Sequence, residues 1–310
     1  MQIFNKTPSF RFMAQRRVAM FVSLALIILS IASMSMRGLN LGLDFTGGVL
    51  IEVGYPENVD LSALRLSLHQ AGYGDAIVQH FGSSKDVMIR VAPRTGVENA
   101  TVSDNIIKML AKESNGKAEM RRQEFVGPQV GDELRDDGGI AMLIALGFIM
   151  VYVMLRFEWR FALGSIIALI HDVVITLGLF SIFQWDFDLT VLAAVLAIIG
   201  YSLNDTIVVF DRIRENFRRL RKKSSMEIID SSLNQTLSRT LMTSFTTLLV
   251  VFAMFLIGGE MIHSFSMALL IGIGVGTYSS IYVASSIVLA LNISSKDMMQ
   301  VEKENLGEEV

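Results

Sequence analysis

The chain has 310 residues, 52% of them hydrophobic and only 18% charged, with a mean hydropathy of +0.49. Soluble domains sit nearer a quarter charged, so the composition points to a membrane protein. The formal net charge of −3 averages over unequal segments, and the absence of cysteine excludes disulfides, thiolate metal sites and Cys nucleophiles.

The predicted elements run as follows. Residues 1–17 carry Arg11, Arg16 and Arg17 ahead of the first apolar run, 18–36. A span needs about 20 apolar residues. Five more runs follow, at 139–155, 161–183, 189–210, 239–257 and 265–291. Because the first run is one of six and lacks a convincing cleavage site, it reads as an uncleaved anchor rather than a signal peptide. Arg156 and Arg160 flank the turn after the second run, and 211–238 forms a basic loop opening with Arg212, Arg214, Arg218, Arg219, Arg221, Lys222 and Lys223. The opposite loops, 184–188 and 258–264, have no Lys or Arg. The positive-inside rule then places both termini in the cytoplasm and residues 37–138 outside it. The basic cluster reads as a topology lock beside anionic headgroups rather than a nucleic-acid site. The acidic tail, 292–310, reads as a solvated, disordered end.

Within 37–138, Asp44-Phe-Thr-Gly-Gly48 reads as a tight turn before a strand at 49–55. Asp60 caps a helix to about Gln70, residues 76–81 and 86–91 form a hairpin across Gly82-Ser-Ser84, a second helix runs to about Glu113, and 118–126 is the last strand. The order β-α-β-β-α-β is that of a ferredoxin-like α+β domain. It shows no catalytic triad or nucleotide loop and is expected to touch protein rather than perform chemistry.

Ionisable groups inside a span cost roughly 2.5–3.5 kcal/mol each, which makes each a functional candidate. Asn204 and Asp205 interrupt the fourth span, His171 and Asp172 lie mid-way along the third, and Arg239, Thr240, Thr243 and Ser244 open the fifth. Spans four and five are antiparallel, so Asp205 and Arg239 lie at similar depths, and the Arg side chain can reach toward the carboxylate. Such a group can change protonation as its pairing changes; the alternative is a static pair that fixes helix register. His171 and Asp172 are neighbours on one helix and point in different directions, so they need not act together. In the sixth span, Gly272-Ile-Gly-Val-Gly276 suits close helix packing. The four histidines, at 69, 80, 171 and 263, are too scattered for a metal cage, and no P-loop occurs, so energy must come from a partner or a gradient.

Several segments carry a resemblance. Leu41-Gly-Leu-Asp-Phe-Thr-Gly-Gly48, with Asp44, Gly47 and Gly48, resembles the signature after the first span of the SecD/SecF family. Phe125-Val-Gly-Pro-Gln-Val-Gly131 looks like the element leading into the second span. His171-Asp-Val, the run Gly200 to Glu215, and Ser238-Arg-Thr240 match its SecF members in particular. The resemblance implies an RND-like half bundle of six transmembrane helices, with the ferredoxin-like domain in the periplasm and the whole in a bacterial inner membrane. It implies SecD as partner, association with the SecYEG channel and YajC, and a translocating preprotein as client. Asp205, Arg239 and Thr243 fall at the family's ion-pathway positions, carrying H⁺ or Na⁺ with no other cofactor. Asn204, His171 and Asp172 are candidate auxiliary polar groups by their place inside the spans. Two other functions are open: a self-contained RND-type exporter, which usually has two such halves, and a non-transporting assembly factor whose buried charges are structural.

Overall fold

The computed structural model of the chain describes residues 8–94, 97–114, 116–220, 222–259 and 262–293. The acidic tail beyond 293 and Arg221 of the basic cluster lie outside the described residues. Among the described residues, six helices are long and apolar enough to cross a membrane. They are α1 (Arg16–Arg37), α5 (Pro128–Arg156), α6 (Trp159–Phe183), α7 (Leu189–Arg219), α8 (Ser225–Ile257), and a sixth built from α9 (His263–Ser279), a π-helical turn (Ser280–Ala284) and α10 (Ser285–Ala290).

Between α1 and α5 the chain forms β1 (Asn40–Leu41), α2 (Leu43–Thr46), β2 (Gly48–Gly54), α3 (Leu61–Gln70), β3 (Ile77–Phe81), β4 (Ser83–Val91), α4 (Asn99–Glu113) and β5 (Glu119–Val126). The sheet order β3-β4-β2-β5 is antiparallel throughout, which is the ferredoxin-like arrangement. Alternation selects the core: Val49, Ile51 and Val53 of β2 and Val87, Ile89 and Val91 of β4 face Leu64 and Leu68 of α3 and Val102, Ile106 and Leu110 of α4. Asp60 caps α3 by accepting from the Ser62 amide at 2.8 Å.

The opposite sheet face is not left to solvent. Leu50 and Met88 are buried there against Leu43. The segment expected to be a tight turn is the short helix α2, closed by the Thr46 amide and hydroxyl, both donating to the Gly42 carbonyl. The two glycines that follow are required by space. At Gly48, φ is +114° and an added Cβ would lie 2.2 Å from the Val91 carbonyl oxygen. At Gly47, φ is +67° and a Cβ would meet the backbone of Pro128, the first residue of α5, at 2.9 Å.

This corner fastens the domain to the bundle. β1 pairs in parallel with β6 (Asp186–Phe187), in the connection between α6 and α7. The Gly42 amide donates to the Phe187 carbonyl at 2.8 Å, and Asp44 accepts from the Leu189 amide at the start of α7 at 3.0 Å. Arg90 of β4 forms an ion pair with Asp186 at 3.1 Å and also donates to the Leu41 carbonyl at 3.0 Å.

In the bundle, α7 is central and buries Val191, Ala194, Val195, Ile198 and Ile199. The outer helices keep large apolar side chains exposed, among them Phe21 and Ile28 on α1, Leu143 and Phe148 on α5, and Phe245 and Leu249 on α8. Such faces suit lipid or another apolar surface. Helices α1 and α6 meet where Gly178 lies against Ser30. The expected basic loop 211–238 is mostly helix: α7 runs on to Arg219 and α8 begins at Ser225, capped reciprocally by Ser224 and Glu227. Both extensions are amphipathic and bury Ile213 and Phe217 against Ile228, Ile229 and Leu233, so they continue as helices past the apolar runs.

Candidate functional site

The polar groups predicted inside the spans fall into two clusters, one centred on Asp205 of α7 and one on His171 and Asp172 of α6. At the first, Asp205 is buried at 4% exposure. Helical spacing puts it one turn beyond Ser202, on the face of α7 turned to the interior. Thr240 of α8, also buried, lies against the carboxylate, and Arg239 is near enough for its charge to act on it. Neither Asp205 Oδ2 nor Thr240 Oγ1 has a hydrogen-bond partner among the described residues. Arg239 itself is exposed and makes no ion pair with Asp205. Thr243 is exposed too, and its hydroxyl donates back to the carbonyls of Arg239 and Thr240 at 3.1 and 3.0 Å. Asn204 is exposed on the outward side of α7, as its position next to a buried residue requires.

The second cluster is fully enclosed. His171 and Asp172 are each 1% exposed. They do act together: His171 Nδ1 and Asp172 Oδ1 are 2.8 Å apart. Consecutive Cβ atoms diverge on a helix, but the imidazole is long enough to turn back onto the short carboxylate beside it. Asp172 Oδ2 accepts from Ser202 of α7 at 2.5 Å and from Ser279 of α9 at 2.8 Å. His171 Nε2 meets Ser23 Oγ of α1 at 3.1 Å, and Ser23 in turn meets the Tyr278 hydroxyl of α9 at 3.2 Å. One pair of side chains thus ties α6 to α1, α7 and α9.

Close backbone approach makes this possible. A Cβ on Gly276 would stand 3.1 Å from Ser202 Cβ and 3.5 Å from Asp172 Oδ2. One turn earlier, a Cβ on Gly272 would run into Ile198 at 2.2 Å. Gly274, on the other side of α9, has nothing within 4 Å. Two of the three glycines therefore serve α7–α9 packing. The π turn follows directly; Ser285 donates to the Ser280 carbonyl five residues back, and Ser280 bonds Thr206 of α7 at 2.9 Å. Sequence reasoning missed Ser23, Ser202 and Tyr278 as partners of the His–Asp pair. The only signal was the placement of hydroxyls in three apolar runs, and pairing them requires knowing which helices touch.

The signature residues Asp44, Gly47 and Gly48 lie apart from both clusters, at the joint between domain and bundle described above.

With this geometry in place, the likenesses to known proteins are consistent along the chain. Residues 106–294 match the family model for the protein export membrane protein SecD/SecF, C-terminal, and residues 32–55 match the SecD/SecF GG motif. A protein translocase subunit SecF of Vibrio alginolyticus is 53% identical over 98% of this chain and 97% of its own length. That of Pseudomonas aeruginosa is 49% identical over 95% of each. The crystal structure of SecDF, a translocon-associated membrane protein from Thermus thermophilus, superposes with a TM-score of 0.85 at 38% identity, over 94% of this chain. This chain spans only 40% of that longer one. It is a six-span membrane protein that belongs to the SecF branch of the SecD/SecF family.

Proposed function

We propose that this chain is the SecF-type half of a SecD–SecF complex in the bacterial inner membrane, using a proton or sodium gradient to promote late, ATP-independent steps of preprotein translocation. Both termini face the cytoplasm in this reading and the ferredoxin-like domain faces the periplasm, an orientation that the arginines around the spans support. SecYEG and YajC are the remaining partners, and the emerging preprotein is the client.

The observation that carries the reading is Asp205: a buried carboxylate with an oxygen that no described residue satisfies. A static structural carboxylate is normally fully hydrogen-bonded, because an unmet buried charge costs several kcal/mol. One that takes up and releases an ion alternates between satisfied and unsatisfied states. Arg239 and Thr243 stand exposed on α8, where a second bundle from SecD would enclose them. Moving one charge through 100 mV releases about 2.3 kcal/mol, enough to bias a conformational step. The test is export of a reporter preprotein in cells depleted of their own SecF and supplied with the cognate SecD. The native chain restores export and Asp205→Asn, at matched membrane levels, does not. Equal rescue by both would make Asp205 structural and defeat the mechanism.

A further inference from the structure

The enclosed His171–Asp172 cluster can be read proton by proton. Tyr278 has one hydroxyl proton, and it goes to the Ala19 carbonyl at 2.8 Å, since a carbonyl can only accept. The contact between Tyr278 and Ser23 must therefore be donated by Ser23. Ser23 also has only one proton, so its contact with His171 must be donated by Nε2. A protonated Nε2 leaves two arrangements at the contact between Nδ1 and Oδ1. Either the imidazole carries both protons against an ionised Asp172, or Asp172 is protonated and donates to Nδ1. In both, one proton lies between the two groups, and the pair has no net charge. The usual alternative, a neutral imidazole donating from Nδ1 to a carboxylate, has one proton fewer and a net charge of −1. It would leave Nε2 and Ser23 facing each other with two acceptors and no proton to share.

The surroundings support the neutral count. The polar partners of the pair are the hydroxyls of Ser23, Ser202 and Ser279, all uncharged, and the Tyr278 ring stacks beside His171 at 6.2 Å between centroids. Of the other titratable groups on the helices packed against it, Asp205 lies a turn further along α7 and Tyr282 beside Tyr278 on the π turn, Tyr201 of α7 donates to Ser244 of α8, and the remaining Arg, Asp and Glu residues of α1 and α7 lie toward the helix ends. No cation is among its described contacts, so a net charge of −1 would be buried unpaired, at a cost of several kcal/mol.

We propose that the His171–Asp172 pair is a second proton-binding site of the membrane bundle, which holds one shared proton for as long as α1 and α9 present Ser23 and Tyr278 to it. Withdrawing α1 removes the acceptor of the Nε2 proton, and one proton can then leave the pair. The site is separate from Asp205 and holds whether or not Asp205 is the coupling group. It makes the seating of α1 a proton-linked event.

The protonation is directly readable by ¹⁵N magnetic resonance of histidine in the full chain in lipid bilayers. Replacing His69, His80 and His263 by Asn leaves His171 as the sole label. The expected spectrum at neutral pH has a protonated Nε2 and a strongly hydrogen-bonded Nδ1. Tyr278→Phe then releases Ser23 to donate to Nε2, and the Nε2 resonance moves to the unprotonated type. A purely structural role for Tyr278 would leave the ring's protonation as it was. The proposal is overturned if native Nε2 is unprotonated, or if Tyr278→Phe leaves the spectrum unchanged. Should the triple replacement fail to fold, the same Tyr278→Phe difference read in the native four-histidine background decides it, because Tyr278 contacts no other histidine among the described residues.

Discussion

Gly178→Ala should loosen the seating of α1 on α6. The added methyl would stand 2.1 Å from both Cβ and Oγ of Ser30 and 2.6 Å from its Cα. Non-bonded carbons rest at about 3.5–4.0 Å, so the clash with the Ser30 backbone alone forces α1 back by roughly 1 Å. Two hydrogen bonds across that interface are then stretched beyond reach, Ser33 to Ser181 at 2.9 Å and Ser23 to His171 at 3.1 Å. Overpacking costs about 1–3 kcal/mol, and interhelical bonds in membranes average about 0.6 kcal/mol each. The sum is a loss of roughly 2–4 kcal/mol. Reversible unfolding of the full chain in bicelles, followed by steric trapping, measures it. Ser30→Gly should restore part of the loss in the double variant, because two of the three clashing atoms belong to the Ser30 side chain. Gly147→Ala, where a Cβ meets nothing within 4 Å, serves as the neutral control. If Gly178→Ala matches the native stability, or Ser30→Gly restores nothing, the α1–α6 interface is not as described.

Two further outcomes concern the ferredoxin-like domain. Asp186→Asn leaves Arg90, whose side chain is 8% exposed, without its counter-charge. Undocking of the domain should become easier by about 2–4 kcal/mol, less than for a fully buried pair because Asp186 is partly solvated. Hydrogen exchange at the Gly42 amide, which bonds the Phe187 carbonyl, should accelerate; unchanged protection would show that the ion pair does not hold the joint. The hydroxyl of Tyr55 is pushed up to about 12 by burial, with the Glu113 carboxylate adding to the shift. Both folded and unfolded states keep this proton below about pH 10, and only the unfolded state loses it between about 10 and 12. The domain's stability should therefore fall across that window. Tyr55→Phe, which has no proton to lose, should flatten the fall in alkaline unfolding, and an equal fall in both proteins would refute the assignment.

The spans were legible because about 20 apolar residues in a row have few other uses. The ferredoxin-like order was legible from alternation at 49–53 and 87–91 and from the Asp60 cap. What the sequence could not show are contacts between distant segments. Asp44 looked like a turn former, yet its carboxylate receives the first amide of a helix 145 residues away. His171 and Asp172 looked independent because helical geometry separates neighbours; their bond depends on rotamers fixed by Ser23, Ser202 and Ser279 on three other helices. The fifth span showed a similar limit. Depth alone brought Arg239 level with Asp205, but helical phase decides which residue turns inward, and it is Thr240 that does so. The extensions of α7 and α8 beyond the apolar runs were obscured by their charge, since Arg212, Arg214 and Arg218 mask the buried stripe of Ile213 and Phe217.

The central claim, that Asp205 carries the coupling ion, is tested most directly by ion flux. The chain and its cognate SecD would be reconstituted together in liposomes holding proton- and sodium-sensitive dyes, and a potential imposed across the membrane. The expected result is a flux of one of the two ions that Asp205→Asn lowers at least about tenfold, equivalent to about 1.4 kcal/mol. A flux that survives the substitution unchanged would contradict the account and leave Asp205 a structural residue.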